Sequence, residues 1–248
     1  MNLGLTFIAA AFLLQAQADQ PRERADKNSH AAHEQLLAKR TQGRIDLYFE
    51  GDSITRRWGA TDYPQLLANW KQNFFGWNAA DFGWGADRVE NILWRLQNGE
   101  LDGLSPKAIV LLAGTNNVGA SMPEDISDGI AAILRVMREK APSAVIILMG
   151  IFPRNDNMSV MPEINAINAR LAKMADGRQI RYLNINYRLA DPGGHLFEGM
   201  MNARDKLHPA LAGYQVWADA LRPVLTEILG PQATQDHAPP PTGDPGVK

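Results

Sequence analysis

Four chemically capable groups stand far apart in this chain, three of them where an apolar run gives way to polar residues and the fourth just ahead of the last helical stretch. Ser53 lies in YFEGDSITRRWG (48–59), directly behind the apolar run IDLYF (45–49). Taken alone, Gly51, Asp52 and Ser53 are ordinary turn and helix-capping residues. A serine hydroxyl is a poor nucleophile at neutral pH, so it needs a base for its proton and donors for the oxyanion that forms. His208, in DKLHP (205–209), is the best base in the sequence, because an imidazole takes up and returns a proton near neutrality. Asp205 precedes it by three residues, and in a turn that spacing brings a carboxylate to the second ring nitrogen, where it fixes the tautomer. Pro209 suits the first helical position, which puts His208 at a helix entrance. Asn116, in GTNN (114–117), offers a side-chain amide. Gly83, in GWG (83–85), offers a backbone N–H that substrate can approach closely because no Cβ stands in the way. The N–H of Ser53 at a helix start is a third donor. Asp52 and Trp84 are expected beside the substrate, with Trp84 and Trp58 forming an apolar platform for a sugar ring.

Regular alternation along the chain supplies the elements that must bring these groups together. IDLYF (45–49), WNAADF (77–82), AIVLLAG (108–114), AVIILMG (144–150) and IRYLNI (180–185) read as strands. Between and after them, apolar residues recur at helical spacing: Leu66, Leu67 and Trp70; Val89, Ile92, Leu93 and Leu96; Ile126, Ile130, Ile133 and Met137; Ile164, Ile167 and Leu171; Tyr214, Trp217, Leu221 and Val224. A further helix is expected around His33–Lys39. Strands without polar alternation are buried on both faces, and strand–helix repetition demands parallel pairing with right-handed crossovers. The expected fold is a three-layer α/β sandwich, a five-stranded parallel sheet covered by helices on both faces. In such sheets, sites form beyond the carboxyl ends of the strands, and the four polar segments all fall on that rim.

GDSIT (51–55), GWGAD (83–87), GTNN (114–117) and DKLHP (205–209) occur in the order of the four blocks of the SGNH hydrolases, also called GDSL esterases, and the chain is identified as resembling that family. The stretch ADRVENILWRLQNGEL (86–101) resembles especially the branch of platelet-activating-factor acetylhydrolase catalytic subunits. The likeness spans about Leu47 to Tyr214, and four ordered blocks are specific where each tetrapeptide alone is weak. It implies a flavodoxin-like sheet and ester hydrolysis through an acyl-serine, with Ser53 as nucleophile, Gly83 and Asn116 as oxyanion donors, and His208 as base partnered by Asp205. Two positions depart from the family pattern: Asp81 stands where Asn is common, and Ala86-Asp87 where many relatives have Gly-Asp. Thr55 occupies the second glycine position of a lipase G-x-S-x-G elbow, which argues against the larger α/β-hydrolase fold.

The 248 residues, 45% hydrophobic with a formal net charge of −2, suffice for one sizeable core and give no long-range field to gather nucleic acid. Cysteine is absent, which excludes disulfides and thiolate catalysis. No metal or cofactor is expected. His30 and His33 read as a solvated helix face, and His195 as a loop histidine without a well-spaced carboxylate. Residues 1–18 read as a signal peptide, with an apolar core from Leu3 to Leu14 and Ala16-Gln17-Ala18 fitting the small-x-small cleavage rule; its n-region carries no Lys or Arg. Segment 19–29 is expected to be flexible, 30–230 to be the hydrolase domain, and the Pro-rich tail 231–248 to be disordered. The expected protein is therefore exported, to the periplasm or beyond, with no integral membrane segment after cleavage. Its partner is a small-molecule or polysaccharide ester, most of all an acetyl ester on carbohydrate. A lipid esterase or thioesterase is the alternative within enzymes, and a carbohydrate-binding protein without catalysis is the alternative outside them. The intact set of Ser53, Asp205 and His208 speaks for catalysis.

Overall fold

The computed structural model describes residues 17–246. Five parallel strands run β1 Leu47–Gly51, β2 Ala79–Asp81, β3 Ala108–Leu112, β4 Val145–Met149 and β5 Ile180–Leu183, in the sheet order β2-β1-β3-β4-β5. The helices are α1 Lys27–Lys39, α2 Ser53–Gly59, α3 Pro64–Phe74, α4 Val89–Arg95, α5 Pro123–Lys140, α6 Met161–Ala172, α7 Asn186–Leu189 and α8 Leu211–Leu229. The strand side chains alternate between two cores. Tyr48, Ile109, Leu111, Ile146 and Leu148 face α1, α4, α5 and α6. Leu47, Phe49, Val110, Ile147 and Met149 face α2, α3, α7 and α8. Both faces being apolar is why these strands show no polar alternation in sequence.

Strand pairing also fixes the rim. Past the formal end of β2, Phe82 N–H still donates to Phe49 O at 2.9 Å and Trp84 N–H to Gly51 O at 3.0 Å. The segment after β2 is thus laddered to β1 up to the residue pair that precedes Ser53. On the other side of β1, Gly51 pairs in register with Leu112 of β3, two residues short of GTNN. Tyr214 of α8 donates its hydroxyl to Ile54 O at 2.7 Å, which ties the last helix to the start of α2.

Both chain ends depart from expectation. Segment 19–29 is held rather than flexible: Arg22 N–H donates to Glu90 O at 2.9 Å, and Arg24 pairs with Asp87 at 3.3 Å. The tail, expected to be disordered, lies along the domain. Asp236 accepts Gly76 N–H at 2.6 Å, His237 donates to Asn78 Oδ1 at 2.7 Å and accepts Arg44 N–H at 2.8 Å, and Asp244 accepts from Asn28 at 2.8 Å. Prolines lose little chain freedom on docking, and these polar contacts replace the large apolar burial that the tail lacks. The tail covers the β2 edge, which Lys39 also blunts by donating to Asp81 O at 2.7 Å. Beneath it lies a cavity of about 300 Å³ lined by Trp70, Phe74 and Pro239 among others. The apolar N-terminal core from Leu3 to Leu14 lies outside the described residues. Ala18, after which cleavage was expected, is fully buried and packs against Gly129 of α5. No helix among the described residues is long and apolar enough to cross a membrane.

Candidate active site

The start of α2 determines what Ser53 can do. Asp52 is its N-cap and accepts Ile54 N–H at 2.8 Å, so the capping role belongs to Asp52. Ser53 is the first helical residue and its hydroxyl is left for another partner. That partner is His208: Ser53 Oγ and His208 Nε2 lie 2.8 Å apart across 155 positions of chain. On the other side of the ring, Nδ1 lies 2.9 Å from Asp205 Oδ2. The tautomer that satisfies both contacts has Nδ1–H donating to Asp205, which leaves Nε2 to accept the serine proton.

The turn before α8 builds this arrangement locally. Asp205 Oδ1 accepts the backbone N–H groups of Leu207 at 3.1 Å and His208 at 3.0 Å, so the carboxylate closes its own turn while its second oxygen meets the ring. Lys206 takes a left-handed φ of 50°, and His208 O accepts from Asn202 at 2.8 Å. Pro209 pairs as a bridge with Met201, and α8 starts only after Ala210. His208 thus lies in a bend two residues ahead of the N-cap Ala210, short of the helix entrance that was expected; Pro209 disfavours helical backbone in the residue before it.

Electrostatics hold the imidazole neutral. Burial pushes the His208 pKa down, the Arg57 cation pushes the same way, and Asp205 opposes both without reversing them. For Asp205, burial raises the pKa, but the two backbone N–H donors and His208 outweigh it and the net shift is downward. Arg57 also reaches Asp205 Oδ2 at 3.2 Å. A neutral base beside an ionised carboxylate is the state in which a hydroxyl proton can be taken.

The oxyanion side differs from expectation. Gly83 is buried and its N–H donates to Asp81 Oδ1 at 2.7 Å. The room left by its missing Cβ is filled by α2, since a Cβ there would lie 2.6 Å from Arg56 N and 2.9 Å from Asp52 O. Gly83 therefore serves close packing and not substrate. Asp81 holds Gly59 N–H with its other oxygen at 3.0 Å, and burial pushes its carboxyl up to about 6. The exposed part of this loop comes later, at Ala86, which takes a left-handed φ of 60°. Its N–H has no acceptor among the described residues. Asn116 is half-buried and donates to Asp87 O at 2.8 Å, which places its amide against that same turn. Asn117 is structural: it accepts Val89 N–H at 2.9 Å and donates to Glu90 at 2.8 Å, fixing the first turn of α4.

The two expected substrate contacts face inward. Asp52 is fully buried, and burial pushes its carboxyl up to about 7 against the Ile54 N–H. Trp84 is only 6% exposed; its indole N–H donates to Ser29 of α1 at 3.0 Å and the Arg56 guanidinium covers its ring at 4.9 Å. Trp58 is buried among Phe49, Trp70, Phe74 and Trp217. Neither tryptophan offers a free face to a sugar. His33, expected on a solvated face, meets buried Glu100 at 2.7 Å. His195 does have a carboxylate, Asp191 at 3.2 Å, but the pair is exposed on a separate loop. Sequence reasoning missed Arg57, Arg24 and Arg95, whose ties to Asp205, Gly85 and Glu50 cross 148, 61 and 45 positions and carry no local signal.

Residues 49–216 match the GDSL-like lipase/acylhydrolase family. The alpha1 subunit of platelet-activating factor acetylhydrolase IB is 29% identical in Bos taurus, over 86% of this chain and 89% of that protein. The Homo sapiens alpha1 subunit is 30% identical over 79% of this chain and 82% of its own. Among solved structures, a GDSL-like lipase from Bacteroides thetaiotaomicron shares the fold with a TM-score of 0.64 at 18% identity, covering 81% of this chain and 98% of that one. A carbohydrate esterase family 3 protein from Talaromyces cellulolyticus shares it at 0.55 and 16%, covering 75% and 98%. With the family match extending from β1 into α8 and taking in all four blocks, the chain belongs to the GDSL-like lipase/acylhydrolase family and is an ester hydrolase of the α/β sandwich type.

Proposed function

We propose that the protein hydrolyses short acyl esters, acetyl esters above all, through an acyl-serine intermediate on Ser53. The observation that carries this reading is the unbroken chain Ser53–His208–Asp205, with contacts of 2.8 and 2.9 Å. In the first half-reaction, Ser53 Oγ bonds to the acyl carbon while its proton moves to His208 Nε2. The carbonyl oxygen becomes an oxyanion, stabilised by the Asn116 amide and the N–H groups of Ser53 and Ala86. The C–O bond to the alcohol then breaks, and the alcohol leaves with the proton from Nε2. Water repeats the sequence on the acyl-serine, freeing the acid and restoring the hydroxyl. Asp205 stays ionised throughout and steadies the imidazolium.

For the alcohol half of the ester, we propose a carbohydrate, met outside the cytoplasm. The apolar N-terminal run and its Ala-x-Ala site support export, and an exported esterase meets acetylated polysaccharide. The fold shared with a carbohydrate esterase is compatible with this. A second reading has its own support: the curated relatives at 29 and 30% identity are acetylhydrolases of platelet-activating factor, a lipid. Acetate release from acetylated xylan, set against release from a 2-acetyl phospholipid, separates the two, with Ser53→Ala as the blank. Faster turnover of the phospholipid, or preference for acyl chains beyond octanoyl, overturns the carbohydrate reading. Hydrolysis that survives in Ser53→Ala overturns the acyl-serine itself. N-terminal sequencing of the exported protein tests the cut after Ala18.

A further inference from the structure

Beneath the rim lies a buried charge cluster that the chemistry above does not use. Arg95, the last residue of α4, is 4% exposed and faces three buried carboxylates, Glu50, Asp87 and Glu100. Its five N–H groups meet five acceptors, the full capacity of a guanidinium. Nε donates to Asp87 Oδ2 at 2.7 Å, and Nη1 donates to Phe82 O at 2.9 Å and to Glu100. Nη2 donates to Glu50 Oε1 at 2.7 Å and toward Gly51 O at 3.4 Å.

The acceptors are informative by where they lie. Glu50 and Gly51 end the strand that leads into Asp52 and Ser53. Phe82 and Asp87 bracket the loop Gly83–Ala86 on both sides. Glu50 Oε1 also accepts Gly51 N–H at 3.0 Å, so the same carboxylate fixes the strand end from its own side. A second guanidinium arrives from the N-terminal segment: Arg24 Nη1 donates to Gly85 O at 3.2 Å and Asp87 Oδ1 at 3.3 Å. Asn116 grips the same turn at Asp87 O. Every strong tie on the Gly85–Asp87 turn therefore comes from a cation or from the side chain expected to bind the oxyanion.

We propose that Arg95, aided by Arg24, is a positioning residue for ester hydrolysis, clamping the Ala86 turn to the strand end that carries Ser53. This rests on the acyl-serine reading of the site. A buried cluster of three carboxylates around one guanidinium is a poor way to gain stability, since apolar packing of similar volume does as well or better. It is a good way to fix two loops against each other, because a planar fork with five bonds has one orientation. Donors that stabilise an oxyanion act only if held in place before the charge develops. The left-handed backbone at Ala86 is a conformation that an alanine does not hold unaided, so it must be imposed by its surroundings.

The test uses the full chain and two variants. Arg95→Lys keeps the charge but loses the fork, and Arg24→Ala removes a partly exposed side chain and keeps the core. On a short ester, kcat is expected to fall about 10- to 100-fold in Arg95→Lys and about 3- to 10-fold in Arg24→Ala, with KM within about twofold. In an Asn116→Ala background the Arg95→Lys loss shrinks at least about threefold, because the two act on one oxyanion site. Amide hydrogen exchange at Trp84 and Asp87, whose N–H groups donate to Gly51 O and Trp84 O, speeds up at least about tenfold in both variants while β3 amides stay unchanged. A folded Arg95→Lys with kcat within twofold of the parent, a loss confined to KM, or full multiplicativity with Asn116→Ala overturns the proposal. Should Arg95→Lys not fold, Arg24→Ala is judged by the same kcat, KM and exchange criteria. Unchanged exchange at the turn overturns the clamp whether or not the protein proves to be an esterase, whereas hydrolysis surviving in Ser53→Ala sinks the acyl-serine reading, and with it the catalytic role of Arg95, but leaves the clamp itself to the exchange result.

Discussion

Two loops leave neighbouring strands at the same rim and use their residues in opposite directions. After β1, Asp52 turns inward as a buried cap and Ser53 is left to meet His208 at 2.8 Å. After β2, the residues marked out by sequence, Gly83 and Trp84, both turn inward, and the outward position falls to Ala86. In the first loop the chemically interesting residue and the exposed one coincide. In the second they do not, because pairing with β1 continues through Phe82 and Trp84 and keeps the glycine against α2. A sequence motif marks where a loop passes the site; which of its atoms face substrate depends on how far the ladder runs before the chain turns away.

The largest effect that could break this contrast belongs to the first loop. Ser53→Ala is expected to lower ester turnover by at least about 10³-fold with unchanged circular dichroism. Retained turnover would place the nucleophile elsewhere. Next comes Asn116→Ala, expected to cost about 10²–10³ in kcat, as loss of one oxyanion donor does. A loss confined to KM would move Asn116 from oxyanion to substrate binding. On the second loop the effects are on stability. Trp84→Ala is expected to destabilise by about 3–5 kcal/mol, measured by denaturant unfolding, and to leave the ratio of rates on acetylated sugar and on p-nitrophenyl acetate unchanged. A selective loss on the sugar would restore the platform idea. Gly83→Ala forces a Cβ into backbone atoms at 2.6 and 2.9 Å and is expected to destabilise by about 1–3 kcal/mol, while Gly85→Ala, with open space around it, stays within about 0.5 kcal/mol.

The smallest effect is a shift in pH dependence. On the acyl-serine reading hydrolysis needs His208 neutral, and burial and Arg57 place its pKa below the ordinary 6.5. The kcat/KM profile should therefore fall toward acid with its midpoint below 6.5. Arg57→Gln removes a cation that disfavours the imidazolium, so the midpoint should move to higher pH. A midpoint that moves down, or a flat profile through pH 4, contradicts the base role of His208.

Much of the fold was legible because its signals are local. The continuous apolar runs at 108–114 and 144–150 became β3 and β4 with side chains shared between two cores, and the helical spacing at Val89, Ile92 and Leu93 became one packed face of α4. The Asp205–His208 spacing was legible for the same reason, since a turn closes over three residues whatever surrounds it. The tail was misread because composition measures apolar burial alone, and its docking relies on hydrogen bonds from Asp236, His237 and Asp244 to distant loops. His33 was misread because helical spacing does not reveal that Glu100 waits on the facing segment.

By itself the sequence determined the layer order of the sandwich, the family, and the residue types that reach the rim. These follow from periodicity and from short ordered blocks, which act over a few residues. Only the tertiary structure decided that the start of α2 fills the space beside Gly83, that Trp84 lies under Arg56, and that Arg95 ties the two loops together. A hydrogen bond goes to whichever acceptor the packed chain brings within reach, and a partner dozens of positions away leaves no trace in the local pattern of residues.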